Sequence, residues 1–96
     1  MKPSESLHSH REAILAIALR NGVKNVRVFG SVVHGRDRDG SDLDLLVDAP
    51  RGTTLLDMVR IQHAIEAQIG LPVDVLTAAD LPPLYRDQVL LEAQPL

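Results

Sequence analysis

The sequence predicts a small α/β (α+β) fold: a mixed three-stranded sheet with flanking helices, in the order α-β-α-β-α-β-α. Three observations lead there. Amphipathic helical stripes alternate with short β-branched segments bounded by Gly and Pro. Only eleven residues separate Gly30 from Asp42, too few for a parallel crossover, whereas the stretch from Asp48 to Pro72 can hold a whole helix. Finally, the chain is 45% hydrophobic with one Phe, one Tyr and no Trp, so its core must be aliphatic.

The elements follow in order. Ser4 can cap a helix whose apolar positions Leu7, Ile14, Ile17 and Ala18 recur at helical spacing, with Asn21-Gly22 as the stop. "NVRVFG", residues 25–30, reads as the first strand, and "SDLDLLVD", residues 41–48, as the second, antiparallel to it, with Asp48 as a turn residue before Ala49-Pro50. Thr54 and Asp57 form a T-x-x-D capping box. The helix it opens carries Leu55, Met58, Ile61, Ile65 and Ile69 on one stripe and stops at Gly70. "PVDVLT", residues 72–77, is a third strand, with room to run parallel to the second. Asp80, Pro82 and Pro83 suit the start of a last helix running to about Gln94. With 96 residues and no linker or repeat, the expectation is a single domain over 1–96.

Bulk properties narrow the function. Net charge is −3 and there is no pair of aromatics to stack bases, which disfavours direct binding of long nucleic acid. There is no cysteine, hence no disulfide framework or thiolate metal site. No apolar run approaches membrane length. The expectation is a cytoplasmic chain with no membrane contact. A small, metal-neutralised anion remains a fitting ligand.

The chemistry concentrates in "FGSVVHGRDRDGSDLDLLVD", residues 29–48. Side chains of a strand alternate between faces, so Asp42 and Asp44 share one face while Leu43 and Leu45 take the other. Like charges this close raise each other's pKa unless a cation lies between them. Mg²⁺ takes one or two carboxylates plus substrate phosphates, which suits this pair. Asp74 is a third acid in an apolar strand and would converge on the same edge if its strand lies beside the second. The bland readings are an Asp that caps a turn and an edge-strand charge that deters aggregation. Upstream, Gly30 ends a strand and Ser31 opens a short helix, where free N–H groups and a hydroxyl can hold phosphate. Gly-Ser, ten residues, Asp-x-Asp and a later acid form a specific combination.

On these residues the sequence resembles the DNA polymerase β-like nucleotidyltransferase superfamily, over nearly its whole length. Its size resembles the minimal nucleotidyltransferases, which lack the acceptor-holding domain of larger members. The resemblance implies that Gly30 and Ser31 bind the β- and γ-phosphates of ATP. It implies that Asp42 and Asp44 hold two Mg²⁺ ions, and that Asp74 ligates one of them and helps deprotonate the acceptor. Gly35, Arg38 and Ser41 match the family pattern, the last two as further nucleotide contacts. The implied reaction is AMP transfer with release of pyrophosphate. The implied partner is a HEPN-domain RNase toxin, AMPylated and silenced on a tyrosine hydroxyl by this antitoxin. Where family members often read Gly-Ser-Arg-Ala-Arg-Gly, this chain reads "GSVVHG", so Val32 and His34 replace basic residues. That departure keeps a second reading open, an antitoxin that masks its toxin without catalysis. Arg38 reads equally as a solvated loop charge beside Asp37 and Asp39. His34 reads as a phosphate donor when protonated or as a structural histidine. His8, His10 and His63 read as surface residues. The C-terminal helix offers Leu84, Val89, Leu90 and Leu91, more than one face needs, for a partner or for the core.

Overall fold

A computed structural model describes residues 1–96. The elements are α1 (Pro3–Arg20), β1 (Lys24–Phe29), β2 (Leu43–Asp48), α2 (Leu55–Ile69), β3 (Val73–Leu76), α3 (Pro83–Glu92) and β4 (Gln94–Pro95). Short 3-10 turns at Gly30–Val32 and Ala78–Asp80 follow β1 and β3. The sheet order is β3-β2-β1-β4. β1 runs antiparallel to β2 and β3 parallel to it, as the connection lengths require.

One aliphatic core lies on one face of the sheet. Leu43, Leu45 and Val47 of β2, with Val26, Val28, Val73 and Val75 of its neighbours, meet Ile14, Ile17 and Ala18 of α1 and Ile61, Ile65 and Ile69 of α2. Burying each such aliphatic side chain contributes roughly 1.5–3 kcal/mol. This face drives folding, while the opposite face carries polar residues at one end and the buried Leu46 further along. The registered pairs place Phe29, Asp44 and Asp74 in one row across that second face, and Arg27, Leu46 and Leu76 in the next.

Several details differ from the sequence reading. The sheet has four strands rather than three: α3 stops at Glu92 and the chain continues extended, pairing Gln94 with Val28 and Pro95 with Arg27. Pro95 explains this, because a proline pushes the residue before it out of the helical region. Ser4 is not the cap of α1 but lies inside its first turn, and its N–H is satisfied by Asp37 from a distant loop. Asp48 is the last residue of β2, where it pairs with Arg27 at 2.8 Å and accepts from Asn25. Of the stripe on α2, Leu55 is 81% exposed, at the rim of a cleft beside the ends of β2 and β3. On α3 core packing does not absorb the excess apolar residues: Leu84 is 82% and Leu91 86% exposed, while Val89 is half-buried. His8 and His63 are exposed as expected, whereas His10 is half-buried at a kink in α1, with Nδ1 on the Ser6 carbonyl.

Candidate active site

Asp44 and Asp74 meet at the start of the two parallel strands, with Asp42 just ahead of them. Asp44 and Asp74 are register partners on β2 and β3, so their carboxyls emerge side by side on the face away from the core. Asp42 stands one residue ahead of β2, outside the ladder, since Ser41 is occupied in a turn: its hydroxyl accepts the Arg38 N–H and its own N–H donates to the Arg38 carbonyl, both at 2.9 Å. The alternation argument holds nonetheless. Leu43 and Leu45 are fully buried, Asp44 is half-buried and Asp42 is exposed.

This crowding is electrostatically costly. Burial, then the neighbouring charge of Asp74, then that of Asp42, with a hydrogen bond to Asp74, push the Asp44 carboxyl up from 3.8 to about 6. Because the folded pKa lies above the unfolded one, the native state binds more protons between pH 4 and 6, and stability falls as pH rises through that window. Asp44→Asn is therefore expected to stabilise the metal-free protein at pH 7 by about 1–2 kcal/mol, discounted for a half-exposed group. The gain should vanish below about pH 3, where Asp44 is neutral in both states. Thermal melts of both proteins at the two pH values check this; a destabilised mutant at pH 7 would contradict it.

Against the acids lies the Gly30-Ser31 turn. Phe29 is the register partner of Asp44, so the chain leaves β1 directly over that carboxyl. Gly30 has φ +76°, and a Cβ there would collide with Asp44 Oδ2 and come 3.2 Å from Cγ. Glycine is required twice, for the left-handed backbone and for the close approach. The 3-10 turn that follows leaves its first N–H groups without partners inside the helix, beside a carboxyl that resists ionisation. Positive dipoles and oxygen donors thus face one small space.

The other predicted residues divide. Arg38 is exposed on the connecting loop, while Ser41 is half-buried and its hydroxyl shapes that turn. His34 Nε2 lies 2.9 Å from Glu92 Oε2, tying the turn to the end of α3. Asp37, notable in the sequence only as a neighbour of Arg38, is 9% exposed, just beneath the surface. The Ser4 hydroxyl alongside and the Ser4 N–H, which donates to it, hold its carboxyl below the usual range. No local pattern in the sequence signalled this, because its partner lies 33 residues away. The site itself is an open shelf. A cleft of about 700 Å³, lined by Ala49, Thr54, Met58 and Val75 among others, lies at the opposite ends of β2 and β3.

A glycine turn packed against neighbouring carboxylates on a mixed sheet is an arrangement suited to nucleotidyl transfer. The Nucleotidyltransferase domain family matches residues 10–96, and the chain belongs to it as a nucleotidyltransferase. Among its relatives, MJ0435 of Methanocaldococcus jannaschii, a candidate protein adenylyltransferase, is 38% identical over 92% of this chain and 95% of its own length. The protein adenylyltransferase MntA of Thermococcus cleftensis is 39% identical over 65% of this chain and 63% of its own. A solved structure described as a candidate minimal nucleotidyltransferase superposes with a TM-score of 0.84 at 48% identity, covering 97% of this chain and 95% of that one. A chain from a toxin–antitoxin complex with AMP-PNP shares the fold, with a TM-score of 0.75 at 17% identity, over 88% of this chain and 69% of that one.

Proposed function

We propose that this protein is a Mg²⁺-dependent protein adenylyltransferase acting as an antitoxin, which moves AMP from ATP to a tyrosine hydroxyl of a HEPN-domain RNase toxin in the cytoplasm. The observation that carries this reading is the row of Asp44 and Asp74 set against Gly30, with no side chain between carboxyl and turn. The adenylyltransferase and toxin–antitoxin relatives support the class of acceptor.

The donor set fits a hard divalent cation: it is all oxygen, it is crowded enough to depress ionisation of Asp44, and it opens toward the phosphate turn. No three Asp, Glu or His side chains are gathered closely enough to hold an ion alone. That agrees with a site that phosphate oxygens complete, as is usual for Mg²⁺. Asp42 and Asp44 would hold two ions and Asp74 would share one of them. Bound there, Mg²⁺ supplies charge neutralisation for the phosphates and for the attacking and leaving oxygens.

The chain's own residues do the rest. Gly30 and the N–H groups from Ser31 onward bind the β- and γ-phosphates, with Ser41 shaping the loop and Arg38 available to the triphosphate. The tyrosine oxygen attacks the α-phosphorus, the bond from that phosphorus to the bridging α–β oxygen breaks, and pyrophosphate leaves. The tyrosine proton passes to Asp74, the outermost acid of the row. Positioning and electrostatics suffice, and no covalent enzyme intermediate is needed. The open shelf suits a protein side chain as acceptor. One domain over residues 1–96 carries all of these groups.

The engagement of His34 by Glu92 favours the second reading, masking of the toxin without catalysis, because it occupies a side chain that could otherwise donate to the triphosphate. Incubation with α-labelled ATP, Mg²⁺ and the protein encoded beside it separates the two. Transfer of label to a tyrosine of that neighbour supports catalysis, whereas inhibition of the neighbour without label supports masking. Mg²⁺ with ATP at ~100-fold over the dissociation constant should also contribute roughly 2.7 kcal/mol to stability. Calorimetric melts check this, and no shift at saturating nucleotide would count against the site.

A further inference from the structure

We infer that Asp37 is a positioning residue for the metal and nucleotide site: clamped to the first turn of α1, it holds the loop that sets Asp42 beside Asp44. The inference rests on the metal–triphosphate reading given above.

Asp44 and Asp42 are held in different ways. Asp44 lies within the β2 ladder, between Phe29 and Asp74, and would keep its place with the loop cut away. Asp42 lies outside the ladder and takes its position from the segment leading into it. That segment is intrinsically loose. Residues 31–41 include Gly35 at φ +66° and Gly40 at φ +88°, neither with a neighbour against its α-carbon. Such a loop stays ordered only if something holds it.

From residue 29 to residue 42 the single buried residue is Asp37. Its Oδ2 accepts the Ser4 N–H at 2.9 Å, with the Ser4 hydroxyl alongside. The amide belongs to the first turn of α1, where N–H groups have no partner within the helix and an anion is favoured. Both neighbours of Asp37 are bonded toward the site. Arg36 N–H donates to the Ser31 carbonyl at 2.9 Å, and Arg38 is locked to Ser41, next to Asp42. The path is continuous: Ser31, Arg36, Asp37, Arg38, Ser41, Asp42. Pinning its midpoint to a helix divides the loop into two short, bonded halves.

A merely structural anchor would cost stability and leave ligand affinity alone, so the test reads affinity. Calorimetric titration of Mg²⁺–ATP into the intact wild-type protein, Asp37→Ala, Asp37→Asn and Ser4→Pro is made well below each melting temperature. Asp37→Ala should weaken binding about 10-fold or more, with half-saturation moved to higher Mg²⁺ concentration, the scale seen when groups that orient metal ligands are lost. Asp37→Asn should stay within about threefold, because its amide oxygen still accepts from Ser4. Ser4→Pro deletes the N–H donor within the first turn, where proline is tolerated, and should weaken binding in the same direction. Wild-type affinity and Mg²⁺ dependence in folded Asp37→Ala overturn the inference; should that variant not fold, wild-type behaviour of Ser4→Pro does so. Failure of the wild-type protein itself to bind Mg²⁺–ATP defeats the functional reading and this inference together.

Discussion

Asp42→Asn/Asp44→Asn is expected to transfer AMP at least ~10³-fold more slowly than wild type, a barrier increase of about 4 kcal/mol. Asparagine keeps the shape but halves the oxygen donors and removes both charges, so an ion that neutralises phosphate is no longer held. The double mutant should still fold. Asp44 is the group whose ionisation is suppressed by burial and by Asp74 and Asp42, and removing its charge relieves that repulsion. Label transfer to the acceptor, read beside a melting curve, tests both parts. A folded double mutant with activity within tenfold of wild type would place catalysis elsewhere. A mutant that loses transfer but still silences the partner would move the protein to the masking reading.

The second large effect is expected at Gly30. Two costs combine in Gly30→Ala: a non-glycine residue in the left-handed region loses roughly 1–2 kcal/mol, and the new methyl must displace the Asp44 carboxyl. Gly35→Ala is the matched control. It carries a similar backbone cost at φ +66°, with nothing within 4 Å of the added carbon. Both variants should therefore melt lower than wild type. Gly30→Ala should lose about 10²-fold in transfer rate, the penalty of misplacing a reacting group by about 1 Å, while Gly35→Ala stays within about tenfold, its loop backbone shifting only locally. Equal losses in the two variants would mean that glycine serves only the turn, and that the packing of Asp44 against it is incidental to catalysis.

These expectations draw on parts of the protein that were unequally legible. The strand directions were readable because chain length constrains topology: eleven residues cannot make a parallel crossover. The burial of Leu43 and Leu45 opposite the acids followed from the two-residue period of a strand, and Ile61, Ile65 and Ile69 from the helical one. Local rules failed where a distant group intervened. Ser4 looks like a helix cap by its residue type, but a tertiary partner caps its N–H. Leu55 fits its stripe by spacing, but it opens onto a cleft rather than the core. Gln94 continues a helical pattern, yet Pro95 and the open edge of β1 draw it into a fourth strand.

The sequence alone determined the kind of chemistry, because residue types at fixed spacing carry it: a glycine turn, paired aspartates and a third acid, on segments whose periodicity sets one face inward. Only the tertiary structure decided how these parts are held. It placed Asp74 in register with Asp44, packed Asp44 against the bare α-carbon of Gly30, and pinned the loop before Asp42 to the first helix through Asp37. The reason is physical. Periodicity and turn chemistry are local in the chain, whereas register, close approach and the hydrogen bonding of a buried acid join residues far apart in sequence.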